Sequence, residues 1–432
     1  MLRAPLRPLL VASVLSCALA GQARADGMGP HPWKLELGGY AELGLGYFTY
    51  GEDRTRQGGA LHDRRLELDL TRFVAALEGT MPGGFEFEAE LEIEHGGAGV
   101  AKEVEYEEFG ELETEVEKGG EVQLEELYLK RSFGRYQLAA GRFYLAMGHL
   151  HARYRPTDYL GAQRSEAETA IFPGQWDEMG LSFTARWPAL IVTAQLVNGL
   201  DSTGFSSAAW VASGHQGRFE KIRARDVAGV ARVELPLPGV TVGASGYLGG
   251  ANRNRPQADL VKECSGGVDD GAVNDVAPCG YVRSVVAIGA VDAHWRWRGL
   301  RGQALGVLGY LSNAAAISRR NDRLSNELGV DRTPVADHAL ALAMEAGYDV
   351  APLLGSCGAL EPFVRLDHYD TMFRPRAELF DNPRTARTVL GAGVAYTYER
   401  AWVGKLELRR RSFATSALRL EHEVQVSLGF VY

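Results

Sequence analysis

Residues Phe85 to Glu94 read Phe-Glu-Phe-Glu-Ala-Glu-Leu-Glu-Ile-Glu, an apolar side chain and a carboxylate in strict turn. An extended strand sends successive side chains to opposite faces, so this run makes one face wholly acidic and the other wholly apolar. A helix would scatter the glutamates around its axis. The same period recurs along the chain. Arg65, Glu67 and Asp69 alternate with Leu66, Leu68 and Leu70, and Lys405, Glu407, Arg409 and Arg411 alternate with a mostly apolar face that ends at Arg410. The final run puts Val424, Val426, Leu428, Phe430 and Tyr432 on one face.

Alternation alone also fits a soluble sandwich; the spacing of the breaks separates the two. Short turn signals fall at 81–84, 133–135, 187–189, 237–239, 298–299, 351–362 and 398–400. Long polar stretches fall between them, at roughly 49–62, 96–120, 145–176, 199–223, 250–280, 314–336, 371–386 and 413–420. Seven short and eight long connections join sixteen strands of about ten residues, the length of a tilted strand crossing hydrocarbon. A sandwich has no reason to segregate its connections in this way, whereas a membrane barrel has short turns at one mouth and long loops at the other. The expected fold is all-β: a transmembrane antiparallel β-barrel of about sixteen strands, with short periplasmic turns and long extracellular loops. Fourteen or eighteen strands remain open, because strands eight to eleven, around Ala287, Gly289 and Ala290, alternate weakly.

The first residues fit export. Arg3 and Arg7 precede an apolar stretch from Leu9 to Ala20, and Ala23-Arg24-Ala25 has the small-x-small pattern of a cleavage site. We read 1–25 as a signal peptide and 26–432 as the barrel, with lipidation at Cys17 as the alternative. Losing Arg3, Arg7 and Arg24 takes the formal charge from -9 to about -12. An acidic chain of this kind argues against nucleic acid as a partner. No stretch after the signal approaches eighteen uncharged apolar residues, so a membrane could be crossed only by a closed barrel. Trp33, Tyr47, Phe48, Trp187, Trp295, Trp297, Tyr310, Tyr396, Tyr398, Trp402 and Phe413 fall near expected strand ends, where aromatic rings favour the headgroup level.

The stretch Leu124 to Gly134, Leu-Glu-Glu-Leu-Tyr-Leu-Lys-Arg-Ser-Phe-Gly, followed by Leu138 to Gly148, resembles the phosphate-selective porin O/P family. The segment Val426 to Tyr432 is similar to the terminal signature of outer-membrane proteins, an apolar strand closed by an aromatic. The resemblance implies a pore, commonly trimeric, inserted by the barrel-assembly machinery through the strand ending at Tyr432. The third long loop, 145–176, has the position that folds inward in many general porins and is expected to narrow the pore, the alternative being an ordinary solvated surface loop. Family members share a basic ladder lining the lumen; this chain has Glu86, Glu88, Glu90, Glu92 and Glu94 on its early strands instead. The resemblance therefore implies the fold and not phosphate as the substrate.

The polar face of each strand lines the lumen. Candidate pore-lining residues are Arg65, Glu67, Asp69, Glu86, Glu88, Glu90, Lys130, Arg142, Arg296, Arg365, Lys405, Glu407 and Arg409, with Arg153 and Arg155 from loop 145–176; Asp292, His294, Asp367 and Arg411 share these faces. Acidic residues concentrate in strands two to four and basic ones in the last strands, which predicts a transverse field. The acidic stretch 96–120 is expected to be a solvated, partly disordered loop. Cys264 and Cys279 share one long loop in an oxidising compartment and are expected to form a disulfide; Cys357 has no evident partner. Oxygen donors between the two cysteines do not follow calcium-loop spacing, and no metal or other cofactor is expected. Metalloprotease, serine-hydrolase and nucleotide-loop motifs do not occur, so no enzymatic step is expected. The expected function is passive diffusion of small hydrophilic solutes or ions through a water-filled barrel in the outer membrane, among lipid and lipopolysaccharide. The alternative is an adhesin or receptor whose lumen is plugged by a loop.

Overall fold

The structure is a computed structural model, and it describes residues 34–49, 64–99, 103–105, 113–115, 120–149, 154–173, 175–216, 224, 226–251, 273–274, 281–324, 333–375 and 379–432. The expected signal peptide, Trp33, Arg153 and the Cys264–Cys279 pair lie outside these residues. Sixteen antiparallel strands close into a barrel. They are β1 (Lys34–Thr49), β2 (Arg65–Met81), β3 (Phe85–Gly99), β4 (Gly120–Phe133), β5 (Tyr136–Tyr144), β6 (Asp177–Trp187), β7 (Leu190–Asn198) and β8 (Val227–Leu237). The second half comprises β9 (Val240–Gly250), β10 (Val285–Trp297), β11 (Leu300–Leu311), β12 (His338–Tyr348), β13 (Ala359–Asp370), β14 (Ala386–Tyr398), β15 (Trp402–Phe413) and β16 (Glu421–Val431). Each strand pairs with its neighbours in sequence, and β1 closes on β16 with Tyr40 opposite Val431 and Thr49 opposite His422. Closure on β16 leaves the sheet without a free edge strand, the condition for strands to cross hydrocarbon.

The closing seam is reinforced by the last residue. Gly39 and Tyr432 exchange backbone hydrogen bonds of 3.0 Å, and the Tyr432 hydroxyl donates to the Val74 carbonyl at 3.1 Å. A Cβ on Gly39 would sit 2.1 Å from that carbonyl, so only glycine lets the phenol lie across β1 onto β2.

The outer face is apolar over many strands. Leu37, Leu66, Leu68, Leu248, Val291, Val364 and Leu408 are all exposed, Leu68 by 85%. A contiguous apolar surface of this extent belongs against lipid. Trp297, Tyr310, Tyr396, Tyr398 and Trp402 are exposed near strand ends as expected, but Phe48 turns inward and is buried, its ring folded beneath Gly46.

Two β-bulges shift the alternation. Between Glu42↔Arg72 and Gly44↔Asp69, β2 carries one extra residue, so Arg65, Glu67 and Asp69 face inward above the bulge and Arg72 and Val74 face inward below it. In β4 the extra residue is Glu125, which leaves both Glu125 and Glu126 buried inside. Connections depart from expectation in two places. The turn set at 351–362 is shorter, because a single helical turn, Ala351–Leu354, ends at Gly355 and strand begins at Ala359, so that Pro362 lies within β13, exposed on its outer face. Within 96–120, Glu103–Glu105 pairs with Glu113–Glu115 as a small hairpin, so the stretch is not wholly irregular.

One side of the lumen is filled. Leu145, Met147, Phe172, Trp176, Leu200, Phe205, Trp210 and Ile317 come from the long loops and pack against Val230, Tyr247, Ile288, Val307 and Ala341 on the inner faces of β8 to β12. Toward the long-loop end those strands are apolar on both faces, one against lipid and one against the loops, which is why their alternation is weak in sequence; buried charges such as Arg232, Asp292, Arg301 and Glu345 lie on the rest of their inner faces. Trp210 is fully buried and its indole donates to the Ala336 carbonyl at 2.9 Å.

Candidate functional site

The loop between β5 and β6 leaves the wall at Tyr144, crosses the lumen and returns at Asp177. Its two ends are tied by a backbone hydrogen bond from Leu145 to Trp176 of 2.8 Å. On the way in, the Ala146 amide donates to Gln195 (2.8 Å) and the Gly148 amide to Ser245 (3.1 Å), while His149 meets the Ala304 carbonyl at 3.1 Å.

The middle of the loop is fastened to the inner wall of β11 to β16. Wall carboxylates take loop amides: Glu345 accepts from Leu160 (2.9 Å) and Gly161 (3.3 Å), and Glu407 accepts from Ala162 (2.8 Å). Wall cations take loop carbonyls: Lys405 donates to Gly161 (2.8 Å), Arg365 to Gln163 (2.7 Å) and Arg164 (2.5 Å), and Arg301 to Thr157 (3.0 Å). A Cβ on Gly161 would sit 2.2 Å from the Arg365 guanidinium, so the crest must be glycine to lie this close.

A helix of six residues, α1 (Glu166–Ile171), follows the crest, with Ser165 as its N-cap. The Ser165 hydroxyl also donates to Asp367 at 2.7 Å. Glu166 is gripped by Arg409 (2.5 Å), by Arg411 (3.0 Å from Nε) and by the Tyr369 hydroxyl (3.0 Å). Burial alone would raise the Glu166 carboxyl, but the Arg409 and Arg411 guanidinium groups overturn that effect and hold it well below the usual carboxylate range. Earlier in the loop, Tyr159 donates to both Glu42 oxygens at 2.8 and 3.0 Å, and its phenol is raised by burial and by that carboxylate.

Opposite this anchorage lies an acidic wall. Glu42, Glu90, Glu92, Glu125 and Glu126 are buried on the inner faces of β1, β3 and β4, with Arg72 3.8 Å from both Glu42 and Glu92. Tyr144 donates to Glu90 (2.8 Å) and to Glu125, and Tyr154 reaches Glu90 at 3.4 Å. Toward the short-turn end, Lys130 bridges Glu88 (3.1 Å) and Glu86 (3.8 Å). Toward the long-loop end, Arg65 stands 3.6 Å from Glu67, and His95 meets Asp69 at 2.7 Å.

Between the loop crest and the seam of β1, β2 and β16 lies a cavity of about 320 Å³ lined by Gly44, Gly46, Glu67, Asp69, His95, Ala162, Gln163 and Gln425. The glycines keep the wall thin there, and the two carboxylates are its acidic groups.

The expected pore-lining residues thus separate into groups. Arg365, Lys405, Glu407 and Arg409 come together, with Arg411 and Asp367, as the anchorage of the loop. Glu67 and Asp69 border the cavity. Glu86, Glu88 and Lys130 form a cluster below it, Glu90 is buried beneath the loop, and Arg296 is exposed near the short-turn mouth. Arg155 is exposed and its amide donates to Asp158 at 3.2 Å. Arg142 departs from the inward set: it lies opposite Leu127 and Met179, both exposed to lipid, and its guanidinium is bonded to Asp177. The anticipated transverse field also changes, because the late-strand cations are bonded to Glu166, Glu407, Glu421, Glu423 and Asp367. Glu42, Arg72, Glu125 and Glu345 were not singled out from sequence. Glu345 is the one carboxylate of an apolar strand and Glu42 the one charge in the run Leu37 to Thr49, a signal that could have marked them, whereas Arg72 and Glu125 are hidden by the bulges. Cys357 is a free, exposed thiol in the turn before β13.

No family model matches the sequence, and no curated protein matches it. Solved structures do. A loop-deletion variant of the outer-membrane protein OmpT of Vibrio cholerae is 9% identical, with 93% of this chain covering 99% of that one at a TM-score of 0.54. The outer-membrane channel DcaP of Acinetobacter baumannii is 12% identical over 94% of this chain and 100% of that one, at 0.54. OmpF of Salmonella typhi, solved with daunomycin, is 11% identical over 92% and 98%, at 0.53. At these identities the likeness is one of fold: over 92 to 94% of its length, this sixteen-stranded chain has the architecture of these outer-membrane barrels.

Proposed function

We propose that the protein is an outer-membrane pore for passive diffusion of small hydrophilic solutes or ions, narrowed by loop 145–176 and favouring cations. The observation that carries this reading is the division of charge by the loop. On the anchored side, cations are matched by carboxylates within hydrogen-bond distance, leaving little net field. On the other side, Glu67 and Asp69 border the cavity beyond the crest, with Arg65 3.6 Å from Glu67 and His95 2.7 Å from Asp69, and Glu86 and Glu88 follow beside Lys130, so that carboxylates outnumber the permanent cations in this group. In a narrow aqueous path, fixed carboxylates raise the local concentration of cations and repel anions. There is no chemical step in this reading, and a phosphate ladder has no place in it, because Arg365, Lys405, Arg409 and Arg411 are engaged by the loop.

The rest of the reading follows from the export signal 1–25 and the apolar outer face: insertion in the outer membrane beside lipid and lipopolysaccharide, assembly through the Tyr432 strand, and a Cys264–Cys279 disulfide in the outer loop 250–280. Trimerisation is the state the family resemblance implies, and chemical cross-linking in detergent tests it.

Deleting 157–168 removes the crest and the Glu166 clamp. Single-channel conductance should then rise severalfold, and an unchanged conductance would overturn the constriction. A second reading, an adhesin or receptor with a plugged lumen, is favoured by the apolar core that fills the β8 to β12 side. Swelling of liposomes in small sugars separates the two: a pore swells them, and a plugged barrel does not.

A further inference from the structure

We propose that the outward rim of β13 to β16 and β1, at the long-loop end, binds the phosphate groups of an outer-leaflet glycolipid. Around most of the barrel the lipid-facing surface is apolar to the ends of the strands. Met179, Leu196, Val227, Leu248, Val285 and Leu308 form this arc on β6 to β11, and all are exposed. The remaining arc is different. One step above exposed Leu366, Leu390, Leu408 and Val424, the outward positions become polar.

His368 on β13 lies opposite Thr388 on β14, which lies opposite Ser412 on β15. Two residues along, Arg410 lies opposite His422 on β16, which lies opposite Thr49 on β1. These six residues form a continuous row on five neighbouring strands, outside the barrel. Arg410 and His422 are exposed, and among the described residues neither pairs with a carboxylate. The hydroxyl groups are held in place: His368 Nδ1 lies 2.9 Å from Thr388 Oγ1, and Thr49 Oγ1 donates to the His422 carbonyl at 3.1 Å. Of nearby carboxylates, Asp370 is half-buried and accepts from the Met372 amide at 2.9 Å and Thr385 at 3.3 Å, and Glu421 and Glu423 face the lumen beside Arg411.

An exposed guanidinium flanked by two imidazoles is a phosphate-binding set, while the Thr49 and Ser412 hydroxyls already donate to the His422 and Thr388 carbonyls (3.1 and 3.2 Å) and serve to keep the row polar. Its position directly above the last exposed leucines is where headgroup phosphates meet hydrocarbon. A free anion would have no need of that apolar floor, so the partner is a phosphorylated lipid with its acyl chains over Leu390 and Leu408. The proposal rests on the outer-membrane orientation given above.

The test uses full-length protein refolded in detergent, with bisphosphorylated lipid A, its dephosphorylated form and inorganic phosphate as probes. Native mass spectrometry counts bound lipid, and planar-bilayer conductance on the same samples checks the pore separately. Bisphosphorylated lipid A should bind about tenfold more tightly than the dephosphorylated form, and R410S/H422S/H368S should lose about that factor, while L248S on the apolar arc retains it. Conductance should be the same in all three proteins. Equal binding by wild type and the triple variant, equal binding of both lipids, or displacement of the lipid by millimolar inorganic phosphate would each overturn the proposal. A folded protein that binds as expected but does not conduct would instead remove the pore reading.

Discussion

At the scale of single residues, the account turns on Glu166. It is a loop carboxylate held by three wall side chains, Arg409, Arg411 and Tyr369. Glu166→Gln keeps the size but removes the charge. The arginines retain Glu423 and Glu421, so the expected cost to loop docking is about 1 to 3 kcal/mol. The loop should then open intermittently, seen as added open-channel noise and a higher mean conductance; recordings identical to wild type would contradict the clamp. The same group predicts a pH profile. Its carboxyl is held below the ordinary value of 4.5, so the clamp is fully present above that pH and is lost only as pH falls through the lower, folded value. Conductance should therefore stay constant from pH 8 to pH 5 as far as the loop is concerned, and a stepwise increase near pH 6 would place its control elsewhere. Legibility was uneven at this scale. Glu67, Asp69 and Glu88 were legible from parity alone, but the roles of Arg365 and Lys405 were not, because their partners are loop carbonyls some two hundred residues away.

At the scale of elements, the sixteen strands were legible because lipid forces one face of each to be apolar, and because the connections alternate in length. What escaped was local. The bulges at Leu70–Thr71 and Glu125 shift the pattern by one residue, bringing Arg72 and Glu125 inside without a mark in the sequence. The strands β8 to β12 read weakly because the folded-in loops make the long-loop end of their inner faces a second apolar surface. That packing is itself testable. Trp210→Ala leaves a cavity where the indole fills the space over Gly309, and the loss should be about 3 to 5 kcal/mol if the core behaves as a soluble one. The barrel ladder is untouched, so the folded form should still migrate as a compact band in unheated gels while its melting temperature falls. An unchanged melt would show that the loops contribute little to stability. The seam gives a complementary prediction: removing Tyr432 deletes the hydroxyl bond to Val74 and the aromatic terminus, and should lower the yield of assembled barrel without changing the conductance of molecules that do assemble.

At the scale of the whole molecule, the barrel is lopsided twice over. Inside, an apolar fill and a fastened loop occupy the side from β8 to β16, and the cavity between the loop crest and the seam is bordered by the β2 carboxylates Glu67 and Asp69. Outside, an apolar arc on β6 to β11 faces a polar rim on β13 to β1. The two asymmetries have one physical origin: the late strands carry the cations, with Arg365, Lys405, Arg409 and Arg411 turned in to hold the loop and Arg410 turned out to the rim. The central claim is the cation preference of the pore, and the most direct test is the reversal potential of the purified protein in a planar bilayer under a potassium chloride gradient. The account predicts that the dilute side becomes positive, and that Glu67→Gln with Asp69→Asn moves the potential toward zero. A dilute side that becomes negative, or a double variant with the wild-type potential, would contradict it.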